Sequence, residues 1–243
     1  MMFNSVVSFI VGHYNWQASL AVLLLVAGLS AIGRYIAFKV PALQRMREIN
    51  IEEDKKRLAQ EKYPALLKRG RMAGFPSIVA FFLLILPFCA TLAHRSVGGI
   101  LLDIFIILMV YDFFYYLTHR FLLHGNPTLR RVHAVHHQAR DPSWIDSHYV
   151  HPLEIAIGLW LFFGTVIAYA AVAGPIHGAG LAVSFIAFGQ INVLNHAYFK
   201  LPHFPYKTIN WIVAKHHVHH ESMQRGNYAT ITLLYDRVFG TLD

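Results

Sequence analysis

His133-x-x-His136-His137 and His216-x-x-His219-His220 repeat one pattern at two distant places in the chain. On a helix, positions i, i+3 and i+4 share a face, so each copy is expected to point three imidazoles at one spot. Neutral imidazole is the commonest transition-metal ligand and suits iron, zinc, copper and nickel. With His119 and His124 nearby, the donors suffice for two metals. The plain alternative is a histidine-rich surface tract with incidental metal affinity. The repeated spacing, each time after an apolar span, favours a built site. His119 and His124 are five apart and diverge by about 140° on a straight helix. They reach one site only if the helix turns near Leu123 to Pro127, and otherwise serve different metals. Asp112, Tyr116 and His119 fall on one helical face. An ionisable Asp112 inside an apolar segment is costly unless partnered. Its expected task is to accept a hydrogen bond from a ligating imidazole, with Tyr116 beside it.

The elements that must hold these residues are membrane helices. Of 243 residues, 56% are hydrophobic and only 14% charged, well below the roughly 25% of soluble domains. Five apolar segments stand out: 16–33, 73–93, 97–117, 155–173 and 177–194. Each approaches the ~20 residues that cross ~30 Å of hydrocarbon. Glycines around the last two leave open a hairpin that does not fully cross. The expected fold is all-α, a membrane bundle of four to five spans with a histidine-rich cytoplasmic cap. The chain reads as one domain, with a stem and basic connector over 1–95 and the histidine-motif catalytic region over 96–243. The cap is expected from two pieces, 118–152 and 195–243. The N-terminus lacks the basic start of a cleaved signal. The one cysteine, Cys89, sits in a span and reads as an inert core thiol.

The formal charge of +8 is unevenly placed. Ten Lys or Arg residues lie from Lys39 to Arg71, against Arg95 alone in the 93–97 turn. The positive-inside rule therefore puts 39–71 in the cytoplasm. Counting spans then puts 118–152 and 195–243 there too, with the N-terminus and the other two turns outside. His13, His94 and His177 fall on the outer side and join no motif. Residues 40–71 are expected to form a helix lying along the membrane, its basic residues near anionic headgroups.

Together these motifs resemble the fatty acid hydroxylase superfamily, which includes sterol desaturases, sterol methyl oxidases and fatty acid or sphingolipid hydroxylases. The resemblance covers residues ~112–243. It rests on His119-Arg-x-x-x-His124, His133-x-x-His136-His137, His148-x-x-His151-Pro152-x-Glu154, Asn195-His196, His216-x-x-His219-His220, Asn227-Tyr228 and Tyr235-Asp236-Arg237-Val238-Phe239-Gly240-Thr241. It implies that the histidines hold two irons of a non-haem di-iron centre, which activates O2 at the cytosolic membrane face. Zinc is expected to substitute on purification. Asn192 occupies a position where the family typically has a ligand, one turn before His196. Of the remaining His148, His151 and His203, His148 or His151 is expected close to the metals, Glu154 and Asn227 are expected in support, and His217 points elsewhere. Many sterol desaturases have the second histidine four residues after the first. Here Leu123 holds that position and His124 follows, as in the acyl hydroxylase branch.

The function expected is O2-dependent hydroxylation of an unactivated C–H bond in a membrane lipid, fatty acyl chain or sterol, with desaturation at the same site as the alternative. The chain shows no flavin, haem or iron–sulfur motif. Electrons are therefore expected from an external b-type cytochrome or ferredoxin with a reductase. No nucleic-acid partner is expected. A metal transporter would need ionisable residues at mid-membrane depth in several spans. A non-catalytic metal-binding protein would need no apolar approach to the histidines.

Overall fold

A computed structural model describes residues 12–243 of the chain. The expectations for the extreme N-terminus lie outside the described residues. Helix α1 (Trp16–Ala37) opens at Asn15, whose side chain accepts from Ala18 N at 3.0 Å, the short-range cap that polar residues give helix starts. Then come α2 (Pro41–Leu58), with Pro41 at the first helical position, α3 (Lys62–Cys89) and α4 (Val97–Leu123). A short α5 (Pro127–His133) leads to α6 (Pro152–Ala173), α7 (Gly178–Asn195), α8 (Lys207–Glu221) and α9 (Leu234–Val238).

Among the described residues, α1, α3, α4, α6 and α7 are long and apolar enough to cross a membrane. The last pair, 22 and 18 residues long, extends about 33 and 27 Å at 1.5 Å per residue, enough for a full crossing. Strand β1 (Ala90–Thr91) pairs in parallel with β2 (Ile176–His177), in the register Ala90 to Ile176. This pairing holds the α3–α4 and α6–α7 turns at one end of the bundle. Arg95 grips the buried Asp103 with two bonds of 2.7 and 2.6 Å, and Tyr169 Oη donates to the same carboxylate at 2.6 Å. An acid within a span is thus fully partnered.

Helix α6 packs on α3 and α4, whereas α7 packs on α4 and α1. Their shared core is aromatic: Phe81 stacks on Phe163 at 4.0 Å, and Phe162 on Phe188 at 4.5 Å. Between lipid-solvated helices such van der Waals packing supplies the cohesion.

Two expectations are corrected. The span helix α3 begins at Lys62, so the second half of the basic connector belongs to it. Helix α2 is bound to the cap as a third piece of it. Asn50, fully buried, clamps the backbone of Tyr198, accepting from its N at 2.9 Å and donating to its O at 3.1 Å. Arg57 reaches Ser143 Oγ and the buried Asp146 carboxylate, both at 2.8 Å. Members of the row expected to lie along the membrane therefore carry tertiary contacts instead.

Candidate metal centre

Nine imidazoles converge in two adjacent buried clusters at the end of the bundle opposite the β1–β2 pair. The first gathers His119, His124, His133, His137 and His219, and the second His136, His196, His216 and His220. Within each, the facing ring nitrogens lie within 4.8 Å of one another.

Each triad is split between the clusters, which corrects the expectation that it serves one spot. From the first copy, His133 and His137 join cluster one and His136 joins cluster two. From the second, His216 and His220 join cluster two and His219 joins cluster one. On α8 the angular spacing matches the split: i+4 lies about 40° from i and i+3 about 60° to the other side, so the two look about 100° apart. The first copy is not one helix, since His133 ends α5 and His136 opens a 3-10 turn (His136–Gln138). Two such triads set against each other share both clusters. His137 and His220 stack across the boundary at 5.0 Å.

His119 and His124 reach the same cluster because residues Thr118–Leu123 wind as a π-turn. His124 N donates to His119 O at 2.9 Å, an i to i+5 bond that brings residues five apart over one another. Their ring centroids are 5.0 Å apart. The divergence expected of a straight helix is thus removed by one extra residue in the turn.

Seven rings direct Nδ1–H away from the clusters onto an oxygen. His119 donates to Tyr228 O (2.7 Å), His124 to Met223 O (3.0 Å), His196 to Asn192 O (2.7 Å), His219 to Gly226 O (2.7 Å) and His220 to Ala139 O (2.9 Å). His136 donates to Tyr149 O (3.3 Å) and His133 to Glu154 Oε1 (2.7 Å). A neutral imidazole with its proton on Nδ1 carries a lone pair on Nε2. These lone pairs face one another: His119 to His133 at 3.0 Å and His136 to His196 at 2.9 Å. Opposed lone pairs this close repel unless a cation lies among them. Metal–imidazole bonds of roughly 2.0–2.1 Å set adjacent donors about 3 Å apart. The residues present therefore fit a metal at each cluster.

Burial, with neighbouring imidazoles adding to it, holds the basicity of these rings down. His124 and His133 fall to about 3, for His133 by burial alone, and His136, His137, His196, His216, His219 and His220 are also lowered. The rings stay neutral, the form that binds metal.

The supporting residues behave unevenly. Glu154 Oε1 accepts from His133 Nδ1. Asp112 touches no imidazole: its oxygens accept from Thr230 N, Ile231 N, Thr232 N and Thr232 Oγ1 at 2.8–3.0 Å. The buried Asp236 takes the two preceding amides, Tyr228 N and Ala229 N, at 2.8 Å. Five successive amides are thus held by two carboxylates, and this fixes the Tyr228 carbonyl against His119. Tyr116 accepts from Arg120 at 2.6 Å and stacks on Phe239, bracing the same C-terminal segment. Asn227, at φ 63°, bonds Lys215 O and Asp243 N and sets the Gly226 carbonyl under His219. A Cβ on Gly226 would sit 1.9 Å from Thr241 O, so glycine is required there.

Asn192 supports His196 through its main-chain carbonyl. His148 and His151 join neither cluster: His148 pairs with Ser147, and His151 caps α6 by accepting from Leu153 N. His203 is exposed, and His217 turns to Ala197 O. The carbonyls of Ala139, Tyr149, Met223, Gly226 and Tyr228 were not legible, since every residue carries one and only the fold aims it. Asp236 was legible only as part of a motif.

The family model described as fatty acid hydroxylase matches residues 104–241, more than half of the chain. Methylsterol monooxygenase 1 of Rattus norvegicus is 30% identical over 136 residues, 55% of this chain and 44% of its own length. Methylsterol monooxygenase 2-2 of Arabidopsis thaliana is 30% identical over 186 residues, covering 74% and 60%. Very-long-chain aldehyde decarbonylase GL1-8 of Oryza sativa subsp. indica is 34% identical over 137 residues, covering 54% and 48%. The chain spans about half the length of the curated relatives it matches. No solved structure matches it.

Proposed function

We propose, for a chain that belongs to the fatty acid hydroxylase family, O2-dependent hydroxylation of an unactivated C–H bond in a membrane lipid at a non-haem di-iron centre. The observation that carries this reading is the pair of imidazole clusters, five donors and four, set at the end of five apolar helices. The five imidazoles of the first cluster and the four of the second would each hold one ion. Iron bound there would supply the reduction of O2 and the oxidising power that a C–H bond demands.

The chain's own residues perform the supporting work. The Nδ1 bonds fix which nitrogen faces inward in seven of the nine rings, and Glu154 adds negative charge behind His133. The apolar helices exclude water below the clusters and deliver the substrate from the bilayer. The cluster end is proposed to face the cytoplasm, because α2 and its basic neighbours lie at that end and the Arg95 turn lies at the other. An external reductase and a small acidic carrier would supply electrons, drawn by the surplus of Lys and Arg, so turnover would fall as salt rises.

Turnover with labelled O2 tests the proposal. Label in one new hydroxyl of a lipid supports it. An unlabelled product with two fewer hydrogens assigns desaturation instead. Identical lipids under air and nitrogen overturn the oxygenase reading, and one metal equivalent or none after iron-supplemented expression overturns the di-iron centre.

A further inference from the structure

Two of the nine imidazoles lack the support that the other seven share. His137 in the first cluster and His216 in the second are each 7% exposed. The Nδ1 atom of each is buried and has no hydrogen-bond partner. In the first cluster His119, His124, His133 and His219 are anchored through Nδ1 on an oxygen. In the second, His136, His196 and His220 are anchored in the same way. Each cluster thus contains one unanchored ring.

The two unanchored rings stand in equivalent places. His137 Nε2 lies 3.0 Å from His133 Nε2 and 3.1 Å from His219 Nε2. His216 Nε2 lies 3.2 Å from the Nε2 atoms of both His196 and His220. Both therefore present Nε2 to the cluster, between two anchored neighbours. An imidazole that binds metal through Nε2 carries its proton on Nδ1. In an anchored ring that N–H is satisfied and the ring plane is fixed, which strengthens the ligand. In His137 and His216 the N–H is buried without an acceptor, which disfavours the bound form. No hydrogen bond fixes the turn of either ring.

Resting on the two-metal reading, we propose that His137 and His216 are the exchangeable ligands, one at each metal, which a small donor displaces while the anchored rings keep the ion. Displacing either breaks no hydrogen bond to the protein. Displacing an anchored ring leaves a carbonyl, or Glu154 behind His133, without its donor. Each ion can therefore open one position without leaving its cluster.

The test uses the full chain in detergent, loaded with zinc, with chelator competition reading the affinity of each cluster. His137→Ala should retain two metals and weaken cluster one about 10- to 100-fold less than His124→Ala does. His216→Ala should stand in the same relation to His220→Ala at cluster two. Where an alanine variant loses the metal of the other cluster as well, the corresponding glutamine variant takes its place. A second readout needs no loss of a ligand. With 15N-labelled histidine, two rings of the unaltered protein should show exchange broadening that grows as free imidazole is added, and the His137 and His216 variants should each remove one of these signals. Losses equal to those of the anchored variants, broadening that belongs to anchored rings, or no response to imidazole would each overturn the exchangeable pair. Fewer than two zinc ions in the unaltered protein would overturn the two-metal reading itself.

Discussion

Replacing Glu154 with Gln is expected to weaken metal binding at one cluster and spare the other. Glu154 Oε1 accepts from His133 Nδ1 at 2.7 Å, and the residue is 8% exposed, so little water screens the pair. A hydrogen bond to a charged group contributes about 1.5–3 kcal/mol net, against about 0.5–1.5 for a neutral one. The isosteric amide keeps an acceptor and removes the charge, a loss of about 1–2 kcal/mol. At 1.4 kcal/mol per decade, metal at cluster one should bind roughly 5- to 30-fold more weakly, in line with the 10–100-fold typical of such orienting partners. His136 of cluster two leans on the Tyr149 carbonyl and should hold its metal. Competition with a chelator, followed as a two-step titration, reads both affinities, and circular dichroism checks the fold. Equal weakening at the two clusters, or none, would refute the assignment of Glu154 to His133.

Three further outcomes follow from the geometry. Deleting Leu122 should turn the π-turn into an α-turn with the histidines four apart, still on one face, so both metals should be retained. Inserting an alanine there should rotate His124 away by about 100° and release metal from cluster one, as metal analysis will show. The chelated protein should lose stability as pH falls from 6.5 toward 3. His124 and His133 titrate near 3 folded and near 6.5 unfolded, so the unfolded chain binds more protons across that window. Each such ring costs up to about 1.4 kcal/mol per pH unit. Thermal melts across pH check this, and loaded metal should move the loss to lower pH. Asp112→Asn sets an amide donor against the Thr232 donors and should cost about 2–3 kcal/mol, visible as a lowered melting temperature.

Features that depend on local pattern were readable from the chain alone. Runs of apolar residues specify spanning helices because unpaired backbone cannot lie in hydrocarbon, so the five spans were legible. The histidines were legible as donors because chemistry resides in residue type, and Glu154 because it sits beside a motif. The tertiary structure decided how the donors are divided. That His136 leaves its own triad, and that His119 and His124 converge, depends on how α5, α8 and the π-turn are set against one another. Spacing along a single helix does not contain that information. The same holds for Asp112, whose partners are amides more than a hundred residues away, and for α2, whose charges are bonded to the cap. Local sequence fixes which face a side chain occupies, and only packing between distant segments fixes what that face meets.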